Sequence, residues 1–161
     1  MIMTVNIGMA ELKALNHPGI LVTLGLGSCV GVALYDWKTK VIGLAHIMLP
    51  SSANAKKIDN EAKFADTAII KLLNDMYILG ARKENIVAKL AGGAQMFTLN
   101  NNSDIIRIGE RNVQAAKEKL AELGIDVVAE DTGGNFGRTI EFFSSDGSLK
   151  IKRLGRDTKI I

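Results

Sequence analysis

Only two stretches of this chain repeat apolar residues at helical spacing; the remaining apolar residues come in runs of strand length. Residues 61–79 carry Ala65, Ile69, Leu72, Leu73 and Met76 on one stripe, with Gly80 as a stop. Residues 110–123 carry Val113, Ala116, Leu120 and Leu123, stopped by Gly124. Strand-like runs fall at 3–8, 19–24, 30–35, 41–48, 86–91, 125–129, 139–143 and 149–153. Asn16-His17-Pro18-Gly19 separates the first two as a turn, and residues 36–40 join 30–35 to 41–48 as a hairpin. Ser145-Asp146-Gly147 turns the last hairpin, and residues 51–60, small and polar, read as an exposed loop. A doubly wound sheet needs more alternating helices than this. The pattern predicts an α+β layered domain with its helices on one face. A faint echo runs through it: Leu79-Gly80-Ala81, a strand and Gly92-Gly93 resemble Leu123-Gly124-Ile125, a strand and Gly133-Gly134.

The 161 residues suit one domain, 1–161. No run approaches the roughly 20 apolar residues of a membrane helix, and residues 1–10 lack the features of a signal peptide. A cytoplasmic protein without membrane insertion is expected. The net charge of +3 is spread among acids, as in Lys117-Glu118-Lys119, and aromatics are only 5%, which argues against nucleic acid as a partner. The densest basic stretch, 150–156, reads as a solvated edge strand protected by charge, and a basic face would also suit an acidic protein.

One cysteine excludes an internal disulfide and any multi-cysteine metal site, and two histidines leave little for zinc. That cysteine lies in Leu24-Gly25-Leu26-Gly27-Ser28-Cys29-Val30-Gly31. A dinucleotide fingerprint needs a third glycine where Val30 stands and a helix where Val32-Ala33-Leu34-Tyr35 follows. A P-loop needs Gly-Lys-Ser/Thr, which is absent from this segment. A lone cysteine is most often a small buried hydrophobe. The alternative is a nucleophile on a permissive turn, where missing Cβ atoms admit a substrate carbonyl and backbone N–H groups can gather on an oxyanion. The N–H groups of Ser28 and Cys29 are the candidate donors. Such a thiol needs a base or a lowered pKa.

His46 can be that base. It sits in the apolar run Ile42-Gly43-Leu44-Ala45-His46-Ile47-Met48, whose strand should pair with the one after Cys29. Cys29 and His46 lie eight and nine positions from Trp37 in the connection, so both should reach one end of the sheet. A third group should orient the imidazole. Thr23 offers a hydroxyl or its carbonyl, and Asp131, Asn135 and Asp36 are alternatives by position. His17, in its Pro-Gly turn, reads as a turn residue.

Five ordered motifs resemble those of the CheD family of bacterial chemotaxis. They are Val22-Thr23-Leu24-Gly25-Leu26-Gly27-Ser28-Cys29-Val30, Ala45-His46-Ile47-Met48-Leu49-Pro50 and Ala91-Gly92-Gly93-Ala94-Gln95-Met96-Phe97. Ile108-Gly109-Glu110-Arg111-Asn112 follows, then Ala129-Glu130-Asp131-Thr132-Gly133-Gly134-Asn135 with Arg138. The resemblance implies a chemoreceptor glutamine deamidase with some methyl-ester hydrolysis, whose cysteine, histidine and threonine fall on Cys29, His46 and Thr23. It implies no metal or organic cofactor. It also implies a layered α/β/β sandwich of mixed sheets with two main helices on one face, related to toxin-type cysteine deamidases. The implied partners are methyl-accepting chemoreceptors and the phosphatase CheC, with the protein a monomer or a heterodimer with CheC. A mainly non-catalytic adaptor for CheC is the competing expectation, and a cysteine protease a weaker one. Gly92-Gly93 and Gly133-Gly134 read as turns near the cleft, fastened by Asn112 and Asp131. Gln95-Met96-Phe97 reads as either a partner-contacting loop or core.

Overall fold

The computed structural model describes residues 1–96 and 107–161. In chain order its first strands are β1 (Met3–Ile7), β2 (Leu12–Leu15), β3 (Gly19–Leu26), β4 (Val30–Asp36) and β5 (Ile42–Ile47). Helix α1 (Ala65–Ile78), strand β6 (Ile86–Gly92) and helix α2 (Ile108–Glu122) follow. Strands β7 (Val127–Thr132), β8 (Arg138–Phe143), β9 (Leu149–Arg153) and β10 (Lys159–Ile160) complete the described elements. Two five-stranded sheets result, ordered β1-β3-β8-β9-β10 and β2-β5-β4-β6-β7. Both are mixed, because β1 runs parallel to β3 and β6 parallel to β7, whereas the other pairs are antiparallel.

The layering follows from alternation along the strands. Val30, Val32 and Leu34 of β4 face α1 and α2, packing in one core with Ile69, Leu72, Met76 and Leu120. Cys29, Ala33 and Tyr35 face the other way, into a second core with Leu21, Ile140, Phe142 and Ile151 of the first sheet. Strands β4 and β5 are therefore covered on both faces and buried along their whole length. That is why they read as continuous apolar runs instead of alternating ones. The expected α+β architecture, two mixed sheets with two helices on one face, is the one observed. Among the described residues no helix is long and apolar enough to cross a membrane.

Four local expectations change. The first helix begins at Ala65, not at residue 61: Glu61–Lys63 form a 3-10 turn capped by Asn60, and Phe64 is extended (φ −110°, ψ 139°). Phe64 is buried and bridges Leu49, a tertiary contact that overrides helical continuity. Strand β2, missed in the sequence, lies in the second sheet although β1 and β3 lie in the first. The strand expected over 125–129 starts at Val127, because the Ile125 N–H is still occupied closing α2 on the Leu120 carbonyl (2.9 Å). The basic stretch is only in part an edge: β10 pairs with β9 at Lys150 and Ile151, and Lys152, beyond that pairing, bonds Glu141 on β8 (2.7 Å).

The sequence echo has a structural counterpart. Gly80 and Gly124 both adopt positive φ (100° and 73°) after their helices. Ala81 N–H returns to the Met76 carbonyl (3.1 Å) just as Ile125 N–H returns to Leu120. Each glycine ends a helix in the left-handed manner and sends the chain into β6 or β7, which then pair in parallel.

Candidate active site

The site forms where the chain leaves one sheet for the other. Along β3, Thr23 pairs with Ile140 and Leu26 with Arg138, so three steps on β3 face two on β8. The extra residue is taken up at Leu24-Gly25, with Gly25 at φ +67°. Such a bulge restores an inward direction to Leu26 and bends the strand. Gly27, Ser28 and Cys29 then cross to the second sheet and start β4.

All three carbonyls of that crossing accept hydrogen bonds. The Gly27 carbonyl accepts from Ala94 N–H (2.8 Å) and the Cys29 carbonyl from Gly93 N–H (2.8 Å). The Ser28 carbonyl between them accepts from Asn112 Nδ2 (2.9 Å), which also donates to the Met48 carbonyl (3.0 Å). The close approach needs glycine at 92, whose φ is +106° and whose missing Cβ would run into the Cys29 carbonyl. Gly92→Ala is expected to destabilise the protein by about 2–4 kcal/mol, from backbone strain plus displacement of the turn, read as a lower urea midpoint.

His46 is positioned by β5. It pairs with Gly31 of β4, so the position facing it bears no side chain. Cys29 lies two residues before Gly31, on the same face, diagonal to His46. Beyond Ile47 the two strands part, because the N–H groups of Met48 and Leu49 both turn to the Lys63 carbonyl (2.9 and 3.1 Å). The backbone of His46 is fixed on its other side by Glu11 and Ala10, through His46 N–H to the Glu11 carbonyl (3.0 Å) and Ala10 N–H to the His46 carbonyl (2.9 Å).

The imidazole is 1% exposed and its Nδ1 lies 2.7 Å from Thr23 Oγ1. Thr23, fully buried, gives its one hydroxyl proton to the Ile7 carbonyl (2.8 Å). It can then only accept from Nδ1, which places the ring proton on Nδ1 and leaves a lone pair on Nε2. Among the described residues Nε2 is buried and has no hydrogen-bond partner. The bond to Thr23 also spans the two sheets, as does Tyr35 OH to the Ser144 carbonyl (3.1 Å).

Cys29 is a free thiol, 7% exposed. Burial pushes its pKa up, opposed in part by its own backbone N–H. Burial pushes the His46 pKa down, opposed in part by the Glu11 carboxylate. Both shifts favour the neutral forms, a thiol and, on the same face, an imidazole with an open acceptor. Sγ and Nε2 are not hydrogen-bonded to each other in this state. Among the described residues, the Ser28 and Cys29 N–H groups meet no acceptor from another residue.

The other candidates lie elsewhere. Buried Asp36 staples its hairpin by accepting from the N–H groups of Lys38, Thr39 and Arg82 (each 2.8 Å). Asp131 pairs with the buried Arg138 guanidinium (3.0 Å), and Asn135 is exposed. His17 bonds Ser144 Oγ (2.8 Å), a turn residue as expected. Met96 is exposed and lies against Gly27, whereas Phe97 falls outside the described residues. A groove of about 500 Å³ between Gly25, Arg138, Thr139, Lys152 and Leu154 contains neither thiol nor imidazole.

A family model described as "CheD chemotactic sensory transduction" matches residues 48–153. The "Probable chemoreceptor glutamine deamidase CheD" of Caldanaerobacter subterraneus subsp. tengcongensis is 57% identical over 96% of each chain. The "Chemoreceptor glutamine deamidase CheD" of Halalkalibacterium halodurans is 51% identical over 98% of each, and a probable one from Lachnoclostridium phytofermentans is 50% identical over 98% of each. With matches of that identity along nearly its whole length, the chain belongs to the CheD family.

Proposed function

We propose that this protein is a protein-glutamine deamidase that converts chemoreceptor glutamines to glutamates through a Cys29 thioester. The observation that carries this reading is the His46 ring, locked by Thr23 through Nδ1 with Nε2 left open on the face it shares with Cys29. The names of the relatives supply the substrate class.

The chemistry balances with these groups alone. His46 Nε2 takes the thiol proton as Sγ attacks the glutamine Cδ, and the Ser28 and Cys29 N–H groups hold the resulting oxyanion. On collapse, the C–N bond breaks, His46 returns the proton to the departing ammonia, and a glutamyl thioester remains. His46 then removes a proton from water, which attacks the thioester carbon; as the C–S bond breaks His46 returns that proton to Sγ, and glutamate leaves. A receptor methyl ester would pass through the same acyl intermediate with methanol as leaving group. We take the setting to be the cytoplasm, the protein to act as a single domain, and its fold to be akin to toxin-type cysteine deamidases. The resemblance adds binding and stimulation of a CheC-type phosphatase, alone or as a heterodimer.

Intact-mass measurement of a receptor cytoplasmic fragment tests the reaction: each converted site adds about one dalton and releases one ammonia. An unchanged mass under saturating enzyme would sink the proposal. The Thr23 assignment has its own test. Thr23→Val is expected to lower kcat about 10- to 100-fold, less than the roughly 10⁴-fold cost of disabling a charged orienting residue, because a neutral hydroxyl fixes the tautomer without stabilising the imidazolium by charge. Thr23→Ser should recover most of the rate, since it keeps the oxygen that accepts from Nδ1–H.

A further inference from the structure

Asn112 lies on α2, fully buried, 83 residues along the chain from Cys29. The Ser28 carbonyl to which it donates (2.9 Å) and the Cys29 N–H belong to one peptide group. In a trans peptide these two dipoles point in opposite directions. Holding the carbonyl toward α2 therefore aims the N–H away from α2. The Gly27 carbonyl, held by Ala94 N–H, does the same for the Ser28 N–H. Among the described residues, only the Ser28–Cys29 peptide of this crossing is held by a side chain, and that side chain's second bond, to the Met48 carbonyl (3.0 Å), ties down the end of the strand bearing His46.

We propose that Asn112 is a positioning residue for the deamidation reaction: it orients the Ser28–Cys29 peptide so that the Cys29 N–H meets the oxyanion. This rests on the deamidase reading. The bonding pattern supports a role beyond filling the core. Both amide protons of Asn112 are spent on backbone carbonyls at the two ends of the site, while its Oδ1 is buried with no partner among the described residues. Gly109, one turn earlier, lets α2 close against the Gly93 and Ala94 carbonyls, which brings Asn112 within reach.

The test compares the full-length wild type with Asn112→Leu, of similar volume and without donors, and Asn112→Ser, too short to reach both carbonyls. Three quantities are measured: kcat and KM for ammonia release from a receptor fragment, and the pH dependence of Cys29 alkylation by iodoacetamide. Alkylation at a saturated carbon develops no oxyanion, so it reports the thiol and His46 but not the donor. The expected result is a kcat about 100-fold lower, the usual scale for losing one oxyanion donor, with KM and the alkylation profile within about threefold of wild type. Wild-type kcat in either folded variant overturns the proposal, and so does a kcat loss matched by a change in alkylation. Failure of both variants to fold would assign Asn112 to the core and overturn it equally. A wild type that releases no ammonia removes the deamidase reading itself, an outcome distinct from rapid turnover by the variants.

Discussion

Cys29→Ala is expected to fold normally and to leave a receptor fragment at its original mass, with kcat reduced by at least about 10⁴-fold. The size of the effect follows from the chemistry. Removing Sγ removes the acyl acceptor, and no other thiol exists in the chain to replace it. Folding should survive because the change deletes one small, buried side chain beside a backbone held by three hydrogen bonds. Such a substitution costs on the order of 1 kcal/mol, well inside the stability of an ordinary domain. Cys29→Ser should be almost as inactive, since a hydroxyl is far harder to deprotonate than a thiol. Deamidation by Cys29→Ala at even a tenth of the wild-type rate would show that the nucleophile lies elsewhere. The same variant separates catalysis from partner binding, because it removes the thiol and leaves the surface intact.

The second large effect belongs to His46. His46→Gln should lower kcat by about 10³–10⁴-fold, the upper range for general acid–base catalysis, since in the proposed mechanism one ring serves the thiol, the leaving ammonia and the attacking water. The pH profile gives an independent reading. In the proposed mechanism the active base is the neutral imidazole, and burial holds its pKa below the ordinary 6.5. The acid limb of kcat/KM should therefore lie below pH 6.5, and activity should persist where a solvent-exposed histidine would already be protonated. Stability carries the same sign. As pH falls below 6.5 the unfolded chain takes up a proton that folded His46 refuses, so this site's contribution to stability is full above that value and declines as pH falls through it. At the alkaline end, burial raises the Cys29 pKa above the ordinary 9.0, so direct thiolate alkylation in His46→Gln should rise only beyond that pH. An acid limb above pH 6.5, or rapid neutral alkylation of His46→Gln, would contradict the neutral resting pair.

The sequence was most informative where contacts are local. Strands β4 and β5 are joined by a short turn, so their pairing, and with it Cys29 and His46 at one end of the sheet, could be inferred by counting from Trp37, whereas their shared face came from the register. The two helices and their glycine stops were equally visible, because helical periodicity and left-handed caps depend on near neighbours. Errors gathered where a distant partner intervened: Phe64 held extended against Leu49, β2 joining the opposite sheet, and two-residue β10 covering part of β9.

By itself, then, the sequence determined a thiol on a glycine turn, an imidazole one hairpin away, and the architecture able to carry them. Position alone could place Thr23 only alongside Asp36, Asp131 and Asn135 as a partner for that imidazole, and it was the resemblance to the CheD family that singled Thr23 out. The physical reason is tertiary. Thr23 is six residues from Cys29 but lies in the other sheet, and it meets His46 only because a bulge at Leu24-Gly25 and the stacking of the two sheets bring them to 2.7 Å. Asn112 reached the Ser28 carbonyl the same way, across a helix–sheet contact. Periodicity reports which face of an element is buried, but not which side chains of two packed layers come into register. That is set by how the layers close on each other, and here it fixes the tautomer of His46 and the direction of the Ser28–Cys29 peptide.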